Sequence, residues 1–225
     1  MPEPALPAPT DRRPRNDPAL PGDIELRTLG RDELGTALPD LARLRTAIFR
    51  AWPYCYEGDA AYEERYLATF AAAPGAVVIG AFAGPRMVGA ATACPLAAAD
   101  PAFGAPFVAA GLDPAEWFYF GESVLEPAWR GHGIGVAFFG AREAAARERG
   151  FARTCFCAVE RPANDPRRPA DHVPLHGFWR RRGYAPLGLS TDYAWRDVGD
   201  AGETAKTMRF WGRDPTRKGE NAERA

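Results

Sequence analysis

The sequence predicts an α/β protein with a mixed central sheet of about six to seven strands and helices on both faces. Strand-like and helix-like segments follow one another in the order βααβββαβαββ. Short hairpin links occur beside longer strand–helix–strand units, and this mixture places antiparallel and parallel pairs in one sheet. The sequence contains no internal repeats, so a repeat architecture is not predicted.

Length and composition predict one folded domain between two polar tails. Residues 1–22 hold seven prolines and no apolar periodicity, which predicts a disordered tail because such a segment buries too little surface to offset its ordering entropy. Residues 214–225 are also polar and are expected to fray. The intervening residues 23–213 are of the size of an ordinary single domain.

The first half of the domain predicts three strands and two helices. The strands are Asp23–Leu29, Ala76–Ala83 and Arg86–Cys94, and the helices are Asp32–Arg50, with a break at Pro39, and a segment capped by Asp59 that ends near Phe70. Gly84 and Pro85 separate the second and third strands, which predicts a hairpin.

The second half predicts four strands and two helices after an irregular insertion. The elements are the insertion Ala97–Pro114 with a short helix around Pro101–Ala110, the strand Glu116–Leu125, the helix Gly133–Arg149, the strand Thr154–Val159, a helix capped by Asp171 that ends near Gly183, and the strands Tyr184–Trp195 and Thr204–Trp211. The unit Glu116–Val159 is expected to be a parallel, right-handed crossover.

Charge and cysteine content exclude several classes of protein. The formal net charge is −1, from 28 basic and 29 acidic residues, which argues against a nucleic-acid binder. The uncharged stretch Tyr66–Pro85 is broken by Pro74 and Gly75, so a membrane span is not predicted. Four cysteines without a disulfide pattern, and no secretory signal, predict reduced thiols in the cytoplasm.

The turn after the aromatic strand is the most informative segment. Arg130-Gly131-His132-Gly133-Ile134-Gly135 joins a strand to a helix. Glycines let backbone N–H groups approach a ligand closely, and a helix N-terminus favours anions, so the turn suits a pyrophosphate. The glycines alone are also compatible with a purely structural turn. Neither the dinucleotide pattern G-x-G-x-x-G nor the P-loop pattern fits this turn.

The pattern that fits is Arg-x-x-Gly-x-Gly after a strand that ends in Val-Leu-x-Pro, and Phe178-Trp179-Arg180-Arg181-Arg182-Gly183-Tyr184 supplies a second motif downstream. With these two motifs the chain resembles the GNAT acetyltransferase superfamily over roughly Asp23–Trp211. The resemblance implies an N-acetyltransferase that moves an acetyl group from acetyl-CoA to a primary amine of a small molecule, peptide or protein. It also allows a homodimer.

The resemblance further implies where acetyl-CoA binds. The backbone N–H groups of Arg130, Gly131, His132, Gly133, Ile134 and Gly135 would hold the pyrophosphate. The strand containing Val124 and Leu125 would diverge from Thr154–Val159 so that the pantetheine arm adds to its edge. The Leu125 N–H would then donate to the thioester oxygen, where negative charge develops.

Glu122 is the first candidate for the group that takes the amine's proton, directly or through water. The alternative is an ordinary strand glutamate paired with an arginine. Glu126 and Glu160 are weaker candidates.

Two positions depart from the family pattern. Trp179 stands where the family usually has a tyrosine that protonates the departing thiolate. Because that thiolate is a fairly good leaving group, water is one alternative proton source, and Tyr184, Tyr193 and Ser123 are the others. His172 stands where an asparagine is common, and it either contacts the pantetheine arm or is a surface residue. The missing phenol favours the alternative of a non-catalytic acyl-CoA-binding sensor.

No metal site is predicted. Cys155, Cys157, His172 and His176 have the order of a zinc site, but one intervening residue between the cysteines is too few. The amine acceptor is expected beside the early helices, near Phe49, Trp52, Tyr54, Tyr56, Glu57, Asp59, Tyr62, Glu63 and Glu64. Aromatic rings and carboxylates there suit a cationic amine, although the same residues also fit a packed rim with solvated charges.

Overall fold

The structure, a computed structural model, describes residues 20, 21 and 23–216. The predicted tails therefore lie mostly outside the described residues. In the first tail, Leu20 packs against the core, and the Pro21 carbonyl accepts a hydrogen bond of 2.9 Å from the Ile24 N–H. In the second tail, residues 214–216 are described, and Asp214 pairs with Arg153 at 3.0 Å.

Within the described residues, seven strands form one mixed sheet in the order β1-β2-β3-β4-β5-β7-β6. They are β1 (Ile24–Thr28), β2 (Val77–Ala83), β3 (Arg86–Pro95), β4 (Trp117–Leu125), β5 (Arg153–Val159), β6 (Ala185–Trp195) and β7 (Thr204–Arg213). Only the β4–β5 pair is parallel. The predicted fold class, the hairpin and the parallel crossover pair are confirmed.

Helices cover both faces of the sheet. They are α1 (Arg31–Phe49), α2 (Ala60–Ala72), α3 (Pro101–Ala109), α4 (Ile134–Glu148) and α5 (His176–Arg180). Alternate side chains of β2 show the two layers, because Ile79 packs in the cluster that contains Phe138 of α4, whereas Val78 packs with Leu41 and Leu67 of α1 and α2.

Two predicted helix features are wrong. Helix α1 runs without a break through Pro39, since proline removes only one donor and the buried Leu41 and Leu44 hold the next turn against the sheet. Helix α5 begins at His176, so Asp171 does not cap it. Pro174 explains the late start, because it disfavours helical backbone in the residue before it and lacks an N–H.

The feature that creates the site is the divergence of β4 from β5. The two strands pair only from Trp117 to Tyr119 of β4, and β5 continues along β7 as far as Val159. Near the same point β4 carries a bulge, since Ala91 and Ala93 of β3 face Ser123 and Phe120. The second half of β4 therefore keeps an unpaired edge toward β5, which is the divergence that the family resemblance implies.

Candidate active site

A large cavity opens where β4 and β5 diverge. Its volume is about 1770 Å³. The glycine turn lies along one part of its wall, and residues of α1 and of the loop after it line another part. One continuous cavity therefore connects the predicted anion site with the predicted acceptor region.

The glycine turn supplies unpaired donors. Gly131 and Gly133 have φ angles of 82° and 80°, which favour glycine because a Cβ atom is strained there. No described group accepts a hydrogen bond from the N–H of Gly131, His132, Gly133, Ile134 or Gly135. These donors at the start of α4 suit a diphosphate.

Arg130 differs from the prediction in one respect. Its backbone N–H donates to the Pro127 carbonyl at 3.1 Å, because a short 3-10 turn precedes it. The exposed Arg130 lines the cavity, so its guanidinium, and not its N–H, remains for an anion.

Strand β4 directs the Leu125 N–H toward the gap. The next residue, Glu126, donates its N–H to the Val88 carbonyl of β3 at 3.0 Å. Since successive N–H groups of a strand point to opposite sides, the Leu125 N–H points away from β3. The side chains of Val124 and Ile134 are both buried in the core, so only their backbone groups are left to contact a ligand.

Glu122 lies in the cavity wall within a buried network. Its carboxylate is paired with Arg45 of α1, accepts a hydrogen bond from the Tyr66 hydroxyl at 2.9 Å, and accepts a further bond from Thr92. The Thr92 hydroxyl also accepts the Glu122 N–H at 2.9 Å, across the bulge. The ion pair with Arg45 is the contact expected for the alternative interpretation of Glu122, a strand glutamate paired with an arginine.

The network keeps Glu122 ionised. Burial by itself would raise the pKa of the carboxyl, but the charge of Arg45 and the hydrogen bonds from Thr92 and Tyr66 more than offset it, and the pKa lies below its ordinary value. Arg45 also pairs with the buried Glu63. One guanidinium thus contacts two carboxyl groups, of which Glu122 lies in the cavity wall.

Comparison with known proteins decides the family. The family model described as the acetyltransferase (GNAT) family matches residues 40–184, which is more than half of the chain. The chain belongs to the GNAT acetyltransferase family. It is accordingly an acyltransferase, and both motifs of the sequence lie within or at the edge of the matched residues. No curated protein sequence matches the chain.

Solved structures show the same fold at low identity. An acetyltransferase from Streptococcus agalactiae has 14% identity and a TM-score of 0.54, over 85% of this chain and 98% of that one. A ribosomal-protein-alanine N-acetyltransferase from Brucella melitensis has 15% identity and a TM-score of 0.53, over 84% and 99%. The protein yncA from Salmonella typhimurium, solved with its cofactor acetyl-CoA, has 11% identity and a TM-score of 0.53, over 91% and 99%.

The GNAT second motif holds Trp179 in an aromatic wall. Its ring lies 5.0 Å from Phe156 and 5.0 Å from Trp211, between centroids, and it lines the cavity. His172 also lines the cavity and makes a T-shaped contact with Trp52, with centroids 6.0 Å apart. It precedes α5 instead of lying on it.

The three candidate substitutes for the missing tyrosine differ in whether they line the cavity. Tyr184 is buried, bonds to Thr154 and Glu143 at 2.8 and 3.1 Å, and does not line the cavity. Tyr193 and Ser123 do line it. Among the weaker bases, Glu126 is paired with Arg43 and Arg86 away from the cavity, whereas Glu160 lines it and pairs with Arg209.

Most of the residues that the sequence analysis assigns to an acceptor region line the cavity. Phe49, Trp52, Tyr54, Tyr56, Glu57, Asp59 and Tyr62 line the cavity. Asp59 also caps α2 through the Tyr62 N–H at 2.8 Å. Glu63 is fully buried and is not part of the wall, and the side chain of Glu64 lies outside the described residues.

The zinc arrangement does not form in the part of the chain that the structure describes. No group of three or more His, Cys, Asp or Glu side chains there could hold a metal ion. Cys157 instead contacts the Tyr119 hydroxyl at 3.2 Å, and His176 stacks on Trp211. No helix among the described residues has the length and apolar character needed to cross a bilayer.

Sequence reasoning missed Arg45 and Arg142, which both line the cavity. Each is an arginine on an otherwise apolar helix face, four residues after the buried Leu41 and Phe138 respectively. A charge at a core-facing position was the available signal.

Proposed function

We propose that the protein transfers an acetyl group from acetyl-CoA to a primary amine of a small molecule, peptide or protein, by direct attack in a ternary complex. The observation that carries the proposal is the divergence of β4 from β5, which joins the unpaired N–H groups of the glycine turn to Glu122 through one cavity. A relative of the same fold was solved with acetyl-CoA, which supports that donor.

Each part of the chain has a role in this proposal. The N–H groups from Gly131 to Gly135, with the Arg130 guanidinium, bind the diphosphate. The Leu125 N–H donates to the thioester oxygen, which becomes negative as the amine attacks. Acetyl-CoA supplies an activated acyl group, so positioning contributes much of the acceleration.

Glu122 is proposed to accept the amine's proton, directly or through a water molecule. The Glu122 carboxylate is ionised at neutral pH and lies in the cavity wall, where its negative charge favours a cationic amine. Its lowered pKa makes it a weak base, so relay through water to bulk solvent is consistent with its contacts.

The experiment is a thiol-release assay with acetyl-CoA and a panel of primary amines, for the wild type, Glu122→Gln and Glu160→Gln. We expect Glu122→Gln to lower turnover about 100-fold or more, with acetyl-CoA affinity by calorimetry changed less than about twofold. Glu160→Gln is the matched control. Equal turnover in Glu122→Gln would remove Glu122 from the mechanism.

The sensor alternative is tested by the same assay. Trp179 has no acidic proton, and its packing among Phe156 and Trp211 is the observation that favours a non-catalytic module. Tight acetyl-CoA binding without thiol release for any amine would support the sensor. Amine-dependent release by the wild type would exclude it.

We further propose a cytoplasmic protein without nucleic-acid or membrane partners, which the near-neutral charge and four free cysteines support. A homodimer, which the family resemblance allows, is tested by light scattering of the purified protein.

A further inference from the structure

Arg142 is a buried arginine without a carboxylate partner. It lies on α4 and is 2% exposed. No described carboxylate lies within ion-pair distance of it. A buried cation without a counter-ion is costly, and an apolar residue of similar volume would normally be favoured at such a position.

Two nitrogen atoms of the Arg142 guanidinium donate hydrogen bonds to described groups, and the third does not. Nε donates to the Phe138 carbonyl at 3.2 Å and Nη1 to the Glu122 carbonyl at 3.3 Å. The rings of Phe120 and Phe139 flank it, with centroids 4.5 and 4.9 Å from Cζ. Nη2 donates to no described group, and Arg142 lines the cavity.

The neighbouring titratable groups do not offset the cost of burying this charge. Tyr184, Glu143 and Glu122 all influence Arg142, but Glu143 is bonded to Tyr184 and to Arg213. Burial lowers the pKa of Arg142 to about 10, so the side chain stays protonated at neutral pH.

The strand β4 separates Arg142 from the Glu122 carboxylate. Arg142 approaches from the α4 side and contacts only the Glu122 backbone carbonyl. The Glu122 side chain is directed to the opposite face, where it contacts Arg45 and Tyr66 from α1 and α2. One side of the divergent strand thus presents the Glu122 carboxylate, and the other presents the Arg142 guanidinium without a carboxylate partner.

We propose that Arg142 stabilises the thiolate that leaves during acetyl transfer. The proposal rests on the proposed function. In that step a bond forms between the amine nitrogen and the carbonyl carbon, the carbon–sulfur bond breaks, and the electron pair leaves with sulfur. The amine's proton goes to Glu122 or to water, and the sulfur takes a proton from solvent afterwards. A fixed cation in a cavity of low dielectric lowers the energy of that anion.

The test measures the thiol pKa of bound coenzyme A, which does not require a known amine. Thiolate formation is followed by ultraviolet absorbance against a blank with the S-methyl analogue, for the wild type, Arg142→Gln and Arg142→Lys. Both variants retain a donor for the Glu122 carbonyl, but only lysine retains the charge. Arg149→Gln, an exposed change just beyond the end of α4, is the control for net charge.

We expect Arg142→Gln to raise the thiol pKa by about one pH unit or more, the usual effect of losing a nearby opposite charge. Arg142→Lys and Arg149→Gln should stay close to the wild type. With an accepted amine, kcat of Arg142→Gln should fall about tenfold or more, whereas Arg142→Lys should keep most of it.

A thiol pKa that is the same in Arg142→Gln and the wild type would overturn the inference. Equal pKa values in the Gln and Lys variants would also overturn it, since they would assign Arg142 a structural role only. If Arg142→Gln fails to fold, Arg142→Met is measured instead with the same expectation. Absence of coenzyme A binding to the wild type would contradict the proposed function itself.

Discussion

Asp197 is expected to be the most important single carboxylate for stability. It is 2% exposed and pairs with three cations: Arg161 at 2.7 Å, Arg167 at 2.6 Å and Lys206 at 3.1 Å. Arg161 also donates to the carbonyls of Pro53 and Tyr54 at 2.9 and 2.6 Å. Asp197 therefore links the loop that contains Pro53 and Tyr54 and the loop that contains Arg161 and Arg167 to Lys206 of β7.

The change Asp197→Asn removes the buried carboxylate that Arg161, Arg167 and Lys206 share. Breaking a buried pair in this way usually costs about 3–5 kcal/mol, and we expect about 3 kcal/mol because asparagine still accepts hydrogen bonds. The acceptor wall should loosen, which raises the KM for the amine. Acetyl-CoA affinity should change little, since the glycine turn makes none of these contacts.

The same pair predicts a pH dependence. Burial would raise the pKa of Asp197, but hydrogen bonds from Arg161, Arg167 and Lys206 lower it from 3.8 to about 2. The stabilisation is therefore complete above about pH 5 and is lost as the pH falls toward 2, and it amounts to at most about 2.5 kcal/mol.

Urea denaturation at pH 7 and at pH 3 measures both effects, with Asp192→Asn, an exposed carboxylate of β6, as the control. The Asp197→Asn variant should be less stable at pH 7 and should lose less stability than the wild type on acidification. A free energy of unfolding within about 0.5 kcal/mol of the wild type at pH 7 would refute this account of the loops.

Three further changes test the site. Gly133→Ala places a side chain at a φ of 80°, which should cost about 1–2 kcal/mol and weaken acetyl-CoA binding in calorimetry; unchanged affinity would argue against the glycine turn as the anion site. Gly121→Ala brings a Cβ atom within 2.5 Å of the Thr92 hydroxyl, so the bulge must shift, and denaturation should show a loss of about 1–3 kcal/mol; full stability would show that the bulge tolerates the methyl group. Tyr66→Phe removes a bond that lowers the pKa of Glu122, so the acid limb of the pH–rate profile should move to higher pH; an unmoved limb would show that Glu122 does not control it.

The architecture could be predicted because its elements are strongly periodic. The seven strands and the parallel β4–β5 pair follow from apolar patterning and connection lengths, and the observed bounds differ from the predicted ones by only one or two residues for most elements. The predicted start of helix α5 was wrong because Asp171 is a plausible N-cap in the sequence, whereas Pro174 restricts the backbone before the helix.

The parts of the site that could be predicted are those formed by backbone groups whose position follows from the local sequence. Glycines before a helix identify the turn, and strand alternation gives the direction of the Leu125 N–H. The contacts of Glu122 could not be predicted, because they need the bulge opposite Thr92 and the packing of α1 against β4. Long-range side-chain partners depend on register and tertiary packing, which one sequence does not specify.

The most direct test of the central claim is calorimetric titration of the protein with acetyl-CoA, with NAD and ATP as control ligands. The account predicts saturable, roughly micromolar binding of acetyl-CoA to one site per chain, much weaker binding of both controls, and loss of affinity in Gly133→Ala. Absence of acetyl-CoA binding, or equal binding of NAD or ATP, would contradict it.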